Sequence, residues 1–293
     1  MDSLVLWSLV ALLLTGVLCA RVGLWLVVQR EGMTADGISH GVLPGLVLAF
    51  VVTGTRNPIP MVIGGAISGV LTVTLTRYLD RLRGIPGDAA LGASFSIFFA
   101  LGALLVTRFA GQVDLDPGCV LYGLAEMIPL ETVALGGARI PTAVVTLVPT
   151  LLATWAITWL LYKELLMASF DPDFGQINRF RPHLLRLIHT ILVAIVCVVS
   201  FEVVGSILVV ALIVAPAATA RLIRNDMRSL GVVSLVLATT GILLGYGLAT
   251  ALNTSVAGSI ALTMGLQFAV VLAVREWRVR AGQRATATQI REA

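Results

Sequence analysis

The chain has 293 residues, 58% hydrophobic and 12% charged, with a mean hydropathy of +0.97. A soluble domain carries about twice that share of charge, and no polar block is large enough to fold apart from the apolar runs, so residues 1–293 read as a single membrane domain. The net charge of +4 is almost wholly arginine, Lys163 being the sole lysine; lying between apolar runs, this basic excess reads as a signal of membrane orientation and not of nucleic-acid binding.

Apolar runs long enough to cross a bilayer recur along the whole chain. Nine spans are expected: Leu4–Val28, Met33–Thr53, Ile59–Thr76, Asp88–Thr107, Ile140–Tyr162, His183–Ser200, Val203–Leu222, Leu230–Ala249 and Ser255–Val274. The start Met1-Asp2-Ser3 has no basic region, and the apolar run outlasts a signal peptide, so the first run is expected to be a retained helix. Of the 20 Lys and Arg, 17 fall on one side of this layout and three, Arg56, Arg108 and Arg139, on the other. That bias makes the first side cytoplasmic, the N-terminus external and the tail from about 275 to 293 internal.

The second span contains Asp36-Gly37-Ile38-Ser39-His40. Four residues is just over one helical turn, so the carboxylate and imidazole share a face. A lone Asp at mid-membrane costs roughly 2.5–3.5 kcal/mol, and such a residue usually faces a pathway, a partner or an ion. Carboxylate oxygen with imidazole nitrogen suits zinc, iron or manganese. The plainer alternative is a helix-start Asp beside a His bonded to a neighbouring carbonyl. Two ligands hold a transition metal poorly, whereas a twofold dimer would assemble four. Gly37 and Gly41 form a small-residue face for close helix approach, and Pro44 weakens the helix just beyond the pair.

Farther along, Pro117–Leu130 is apolar but too short to cross, and is expected to be an interfacial or re-entrant segment whose Glu126 lines an outer gate. The segment from about 163 to 182 lies outside the bilayer. Asp171-Pro172 with Asp173 is a helix-start pattern there, leaving Phe170, Phe174 and Ile177 to face solvent or a partner. His189 and Glu202 are further polar residues in or beside spans; a lone membrane His is more often a packing residue than a ligand. Cys19, Cys119 and Cys197 form no paired motif. H-E-x-x-H and G-x-x-x-x-G-K-[ST] do not occur, which leaves an intramembrane zinc protease without its motif and assigns any ATP hydrolysis to another subunit.

Three blocks resemble one family. Asp36-Gly37-Ile38-Ser39-His40-Gly41-Val42-Leu43-Pro44-Gly45 is similar to the D-A-I-S-H-A-V-L-P-G signature of ABC-type zinc/manganese/iron importer permeases. Lys163-Glu164-Leu165 and Ser169-Phe170-Asp171 resemble that family's coupling segment, and Pro216-Ala217-Ala218-Thr219-Ala220 its P-A-A-T-A helix end. The order of the blocks agrees from about Leu4 to Val274. Gly37 and Gly41 stand where the family has alanines, a departure expected to alter packing more than ligation.

The resemblance implies an all-α polytopic protein of about eight to nine transmembrane helices with the vitamin-B12-importer-like (type II) permease fold. It implies import of a divalent zinc, manganese or iron ion across a bacterial cytoplasmic membrane, with no permanently bound cofactor. Implied partners are cytoplasmic ATP-binding subunits, a second permease subunit and an extracytoplasmic metal-binding lipoprotein. Asp36 and His40 are then the metal ligands; Ser169, Phe170, Asp171, Pro172, Asp173 and Phe174 contact the ATPase; Glu126, His189, Glu202 and Pro216 are weaker pathway or gate candidates. A permease for a metal chelate or cofactor is the alternative.

Overall fold

A computed structural model of the chain describes residues 2–55, 58–82, 84–109, 128, 132–135, 138–170 and 182–292. Helices dominate: α1 (Asp2–Val28), α2 (Met33–Gly41), α3 (Leu43–Thr53), α4 (Pro58–Asp80), α5 (Gly87–Phe109), α6 (Thr142–Leu160), α7 (Tyr162–Phe170), α8 (Pro182–Ile223), α9 (Met227–Leu252) and α10 (Val256–Glu292). Their apolar runs carry the intrahelical bonding that hydrocarbon demands of every backbone group. Hydroxyls inside the spans turn back on the preceding turn, as Thr15 does to the Ala11 carbonyl (2.8 Å) and Thr158 to Thr154 (2.7 Å).

Eight helical stretches among the described residues are long and apolar enough to cross a membrane, and the longest is Leu184–Ile223 at 40 residues. Straight, it would run about 60 Å, twice the ~30 Å of a hydrocarbon core. It is not straight. Gly205 (φ 74°, ψ 167°) interrupts α8 with a conformation open essentially to glycine alone. Arg186, near the start of α8, faces Glu31, while Arg221, near its end, donates to the Val27 carbonyl at 2.9 Å. Both partners lie at the C-terminal end of α1. Cys19 and Gly16, close together on α1, meet Ser200 and Leu212 from either side of the break. The two halves of α8 therefore fold back on each other, and the eight stretches make nine passes. The sequence reading put the break at 201–202, on the polar Glu202. It falls at Gly205 because that is the residue able to adopt the conformation; Glu202 sits exposed on the helix just before it.

Helix α8 packs against α1, α4, α9 and α10, and the fully buried Leu12, Leu18, Leu208, Leu212 and Ile213 mark the resulting core. Close approach depends on glycine: a β-carbon on Gly23 would overlap the Ile213 carbonyl. One non-helical element departs from the all-helical expectation. Thr132–Leu135 and Ala138–Pro141 pair as an antiparallel hairpin, with Val133 opposite Ile140. The β-branched Thr132, Val133 and Ile140 suit paired strands. The fifth span accordingly starts at Thr142 instead of Ile140.

Candidate functional site

The second span is two helices joined almost without a bend. Val42, between α2 and α3, keeps helical dihedrals (φ −78°, ψ −19°), and its N–H reaches the Ile38 carbonyl at 3.0 Å. Pro44 lies in the first turn of α3. Lacking an N–H, it offers no bond to the residue four back, and that residue is His40. The carbonyl of His40 thereby loses its intrahelical donor beside the imidazole of the same residue.

Helix α2 docks through its glycine face. A β-carbon on Gly37 would run into Leu91 of α5, one on Gly41 into Thr72 of α4, and one on Gly45 into the Gly64 carbonyl. Ser68 of α4 donates to the Gly41 carbonyl at 2.6 Å. The glycines that replace the related family's alanines thus let α2 sit closer to α4 and α5 than alanine would allow without a shift.

Asp36 and His40 lie off this glycine face. His40 Nε2 stands 3.6 Å from Asp36 Oδ1, and the side chains keep 29% and 34% of their exposure. The imidazole sits between two α5 rings, 5.7 Å from the centroid of Phe95 and 5.7 Å, edge-on, from that of Phe99. These rings limit the imidazole's swing while leaving its edge accessible. Among the described residues no group of three or more His, Cys, Asp or Glu is positioned to hold a metal ion.

The other candidates separate. His189 is 2% exposed, packs toward the Val22 carbonyl of α1 and leaves Nε2 without a protein partner. Pro216 is buried in the second half of α8, beside the fully buried Ala217 and Ala220. Glu202 lies by the fold-back. Ser169 and the 62%-exposed Phe170 end α7. Glu126, Asp171, Pro172, Asp173 and Phe174 lie outside the described residues.

Two contacts escaped the sequence reading, and both involve the turn between α1 and α2. Glu31 is the centre of a charge cluster, with Oε2 3.5 Å from Arg77 Nη2 of α4 and Oε1 3.9 Å from Arg186 Nε of α8. Arg77 also donates to Thr190 Oγ1 at 3.2 Å. Two residues earlier, Gln29 Nε2 donates to Ser169 Oγ at 3.1 Å. Only the unequal charge count near the ends of α1, α4 and α8 hinted at the first; nothing local signals the second.

The structure is a many-pass helical bundle with a carboxylate and an imidazole exposed together on one span. The chain belongs to the ABC 3 transport family, whose model matches residues 1–275. It is 34% identical to the manganese transport system membrane protein MntD of Bacillus subtilis, over 90% of this chain and 89% of that protein. It is 33% identical to the zinc transport system membrane protein TroD of Treponema pallidum, over 87% of this chain and 70% of that one. Among solved structures it resembles PsaBC from Streptococcus pneumoniae, in a complex with Fab, with a TM-score of 0.77 and 26% identity over 92% of this chain and 90% of that one. Its role is that of a permease subunit of an ABC transporter, and ATP hydrolysis belongs to a separate subunit.

Proposed function

We propose that this permease carries a divalent zinc, manganese or iron ion inward across a bacterial cytoplasmic membrane, with Asp36 and His40 supplying half of a four-ligand transit site. The observation that carries the reading is the exposure of this pair, about one third for each side chain, on a helix within an apolar bundle. Hydrocarbon against an Asp there would cost roughly 2.5–3.5 kcal/mol. A second permease subunit meeting this face with its own ligands removes that cost and completes an N/O site without thiolate. The relatives named for manganese and zinc support a metal cargo.

The arginine-rich end, where α1 finishes, is then cytoplasmic, with the N-terminus outside and the C-terminal tail inside. An extracytoplasmic metal-binding lipoprotein delivers the ion. ATP-binding subunits dock on the segment from 163 to 182 and drive exchange between two packings of the paired permeases. Binding two oxygens and two nitrogens transiently fits an ion that must leave again.

The test is the metal content of the purified complex. Wild-type complex is expected to retain close to one ion per permease pair, and Asp36→Asn and His40→Ala each to weaken retention by more than about tenfold, since even outer-shell losses cost 10–100-fold. Unchanged metal content in both variants, with uptake intact, would refute the site and favour a chelate or cofactor as cargo.

A further inference from the structure

We infer that the turn Gln29–Gly32 is the joint through which movement of the α7 end reaches the Asp36–His40 pair, and that the Gln29–Ser169 contact transmits it. The inference rests on reading Asp36 and His40 as the transit site and the 163–182 segment as the ATPase contact. It adds two positioning residues, Gln29 and Glu31, and a route between those sites.

The turn is stiff. Leu26 carbonyl accepts from the Glu31 N–H at 2.8 Å and Val27 carbonyl from the Arg30 N–H at 3.2 Å, with Arg30 left-handed at φ 60°. That is the closing pattern of a helix C-terminus, here without its usual glycine. The Thr34 N–H then bonds the Glu31 carbonyl at 2.9 Å, and α2 begins. One closed turn and about one helical turn therefore separate Gln29 from Asp36. A displacement at Gln29 has no flexible linker in which to dissipate.

The turn is also gripped from three sides. Arg221, just after the P-A-A-T-A run of α8, holds the Val27 carbonyl. Arg77 and Arg186 hold Glu31. The third contact, from Ser169, is the one hydrogen bond between this turn and α7 among the described residues. Ser169 spends its one proton on the Leu165 carbonyl at 2.7 Å, so toward Gln29 it can only accept, and the amide N–H must donate. The remaining Gln29 oxygen is buried without a donor. An unsatisfied buried acceptor is costly, and a second packing of α7 against the turn that supplies a donor would be favoured on that account. Ser169 ends the helix whose next residue, Phe170, is exposed at the proposed docking segment. Trp25 of α1 packs edge-on against Tyr162 at 5.6 Å, seating the other end of α7 on the same helix that leads into the turn.

The experiment uses the whole transporter, permease with ATPase and binding protein, in vesicles holding a metal-sensitive dye. It reads metal ions imported per ATP hydrolysed. For Gln29→Ala, hydrolysis is expected to stay within about twofold of wild type while ions per ATP fall about fivefold or more, the lower end of ordinary coupling; for Ser169→Ala, at the proposed ATPase contact, ions per ATP are expected to fall by a similar factor whatever the hydrolysis rate. The double variant should fall no further than either single, because both remove one contact. Ser169→Thr, which keeps the hydroxyl, should retain the wild-type ratio. An unchanged ratio in both single variants overturns the inference. So does loss of hydrolysis in step with uptake in Gln29→Ala, which would make the contact part of ATPase docking, and so do losses that multiply in the double variant or a Thr variant as uncoupled as Ala. Wild-type vesicles that import no metal would refute the proposed cargo instead, which separates the two failures.

Discussion

Glu31 and the Asp36–His40 pair lie within ten residues of each other along the chain, yet they are treated in opposite ways. Glu31 is matched inside the subunit by two arginines from two other helices. Asp36 has only the neighbouring imidazole and stays about one third exposed. Charge that is matched at home ties helices together. Charge left open on an apolar surface is held for something that arrives. The comparison teaches that α2 is fixed at its base by one cluster while the other stays open on its surface.

That contrast can be broken by exchanging what each cluster loses. Asp36→Asn is expected to have its largest effect on bound metal and none that lowers the melting temperature of the purified permease, since the neutral amide relieves an exposed charge. A melting temperature that drops sharply would mean that the pair is structural. Arg77→Leu should do the reverse. It leaves Glu31 with only the longer Arg186 contact and takes one donor from Thr190, whose hydroxyl keeps its bond to the Arg186 carbonyl, costing about 1–2 kcal/mol after discounting for side chains that are a quarter to a third exposed. Metal content should hold, as measured by elemental analysis on the same preparation.

The smallest effect sharpens the comparison from outside both clusters. Asp226 caps α9, accepting from the Ser229 N–H and hydroxyl, each at 3.1 Å. These bonds hold its carboxyl below the ordinary value of 3.8. With the folded pKa depressed, the cap's contribution is fully present above that ordinary value and is lost as pH falls through the folded one. Asp226→Ala should therefore lower the melting temperature slightly near neutrality, with the gap to wild type closing in acid and metal content unaffected throughout. A gap that persists in acid would place the cap's effect elsewhere.

Much of this was legible in the residues. The i, i+4 spacing put Asp36 and His40 on one face, and they are found 3.6 Å apart. Nine apolar runs anticipated nine passes, because length and hydropathy are local properties. The glycines of α2 were read as a packing face, and they meet Leu91 and Thr72. What could not be read was pairing across distance. Gln29 and Ser169 are 140 positions apart, and neither residue type announces a partner. Arg77 and Arg186 were counted only as orientation signals, which conceals that they converge on Glu31. The hairpin at Thr132–Pro141 was missed because four-residue alternations are too short to stand out beside long apolar runs.

The fold-back at Gly205 bears on how the protein enters its membrane. Between Arg186 and Arg221 the only formally charged side chain is Glu202. No hydrophilic loop divides the two halves, so insertion of α8 carries one carboxylate, and no arginine, to the far side. The two halves lie folded back on each other as a helical hairpin. The two arginines remain on the side of entry and then close onto the end of α1, so the same residues that withhold the hairpin's ends from crossing also latch it once it is in place. A side chain at position 205 would therefore be felt first by the insertion machinery, before any cargo is met.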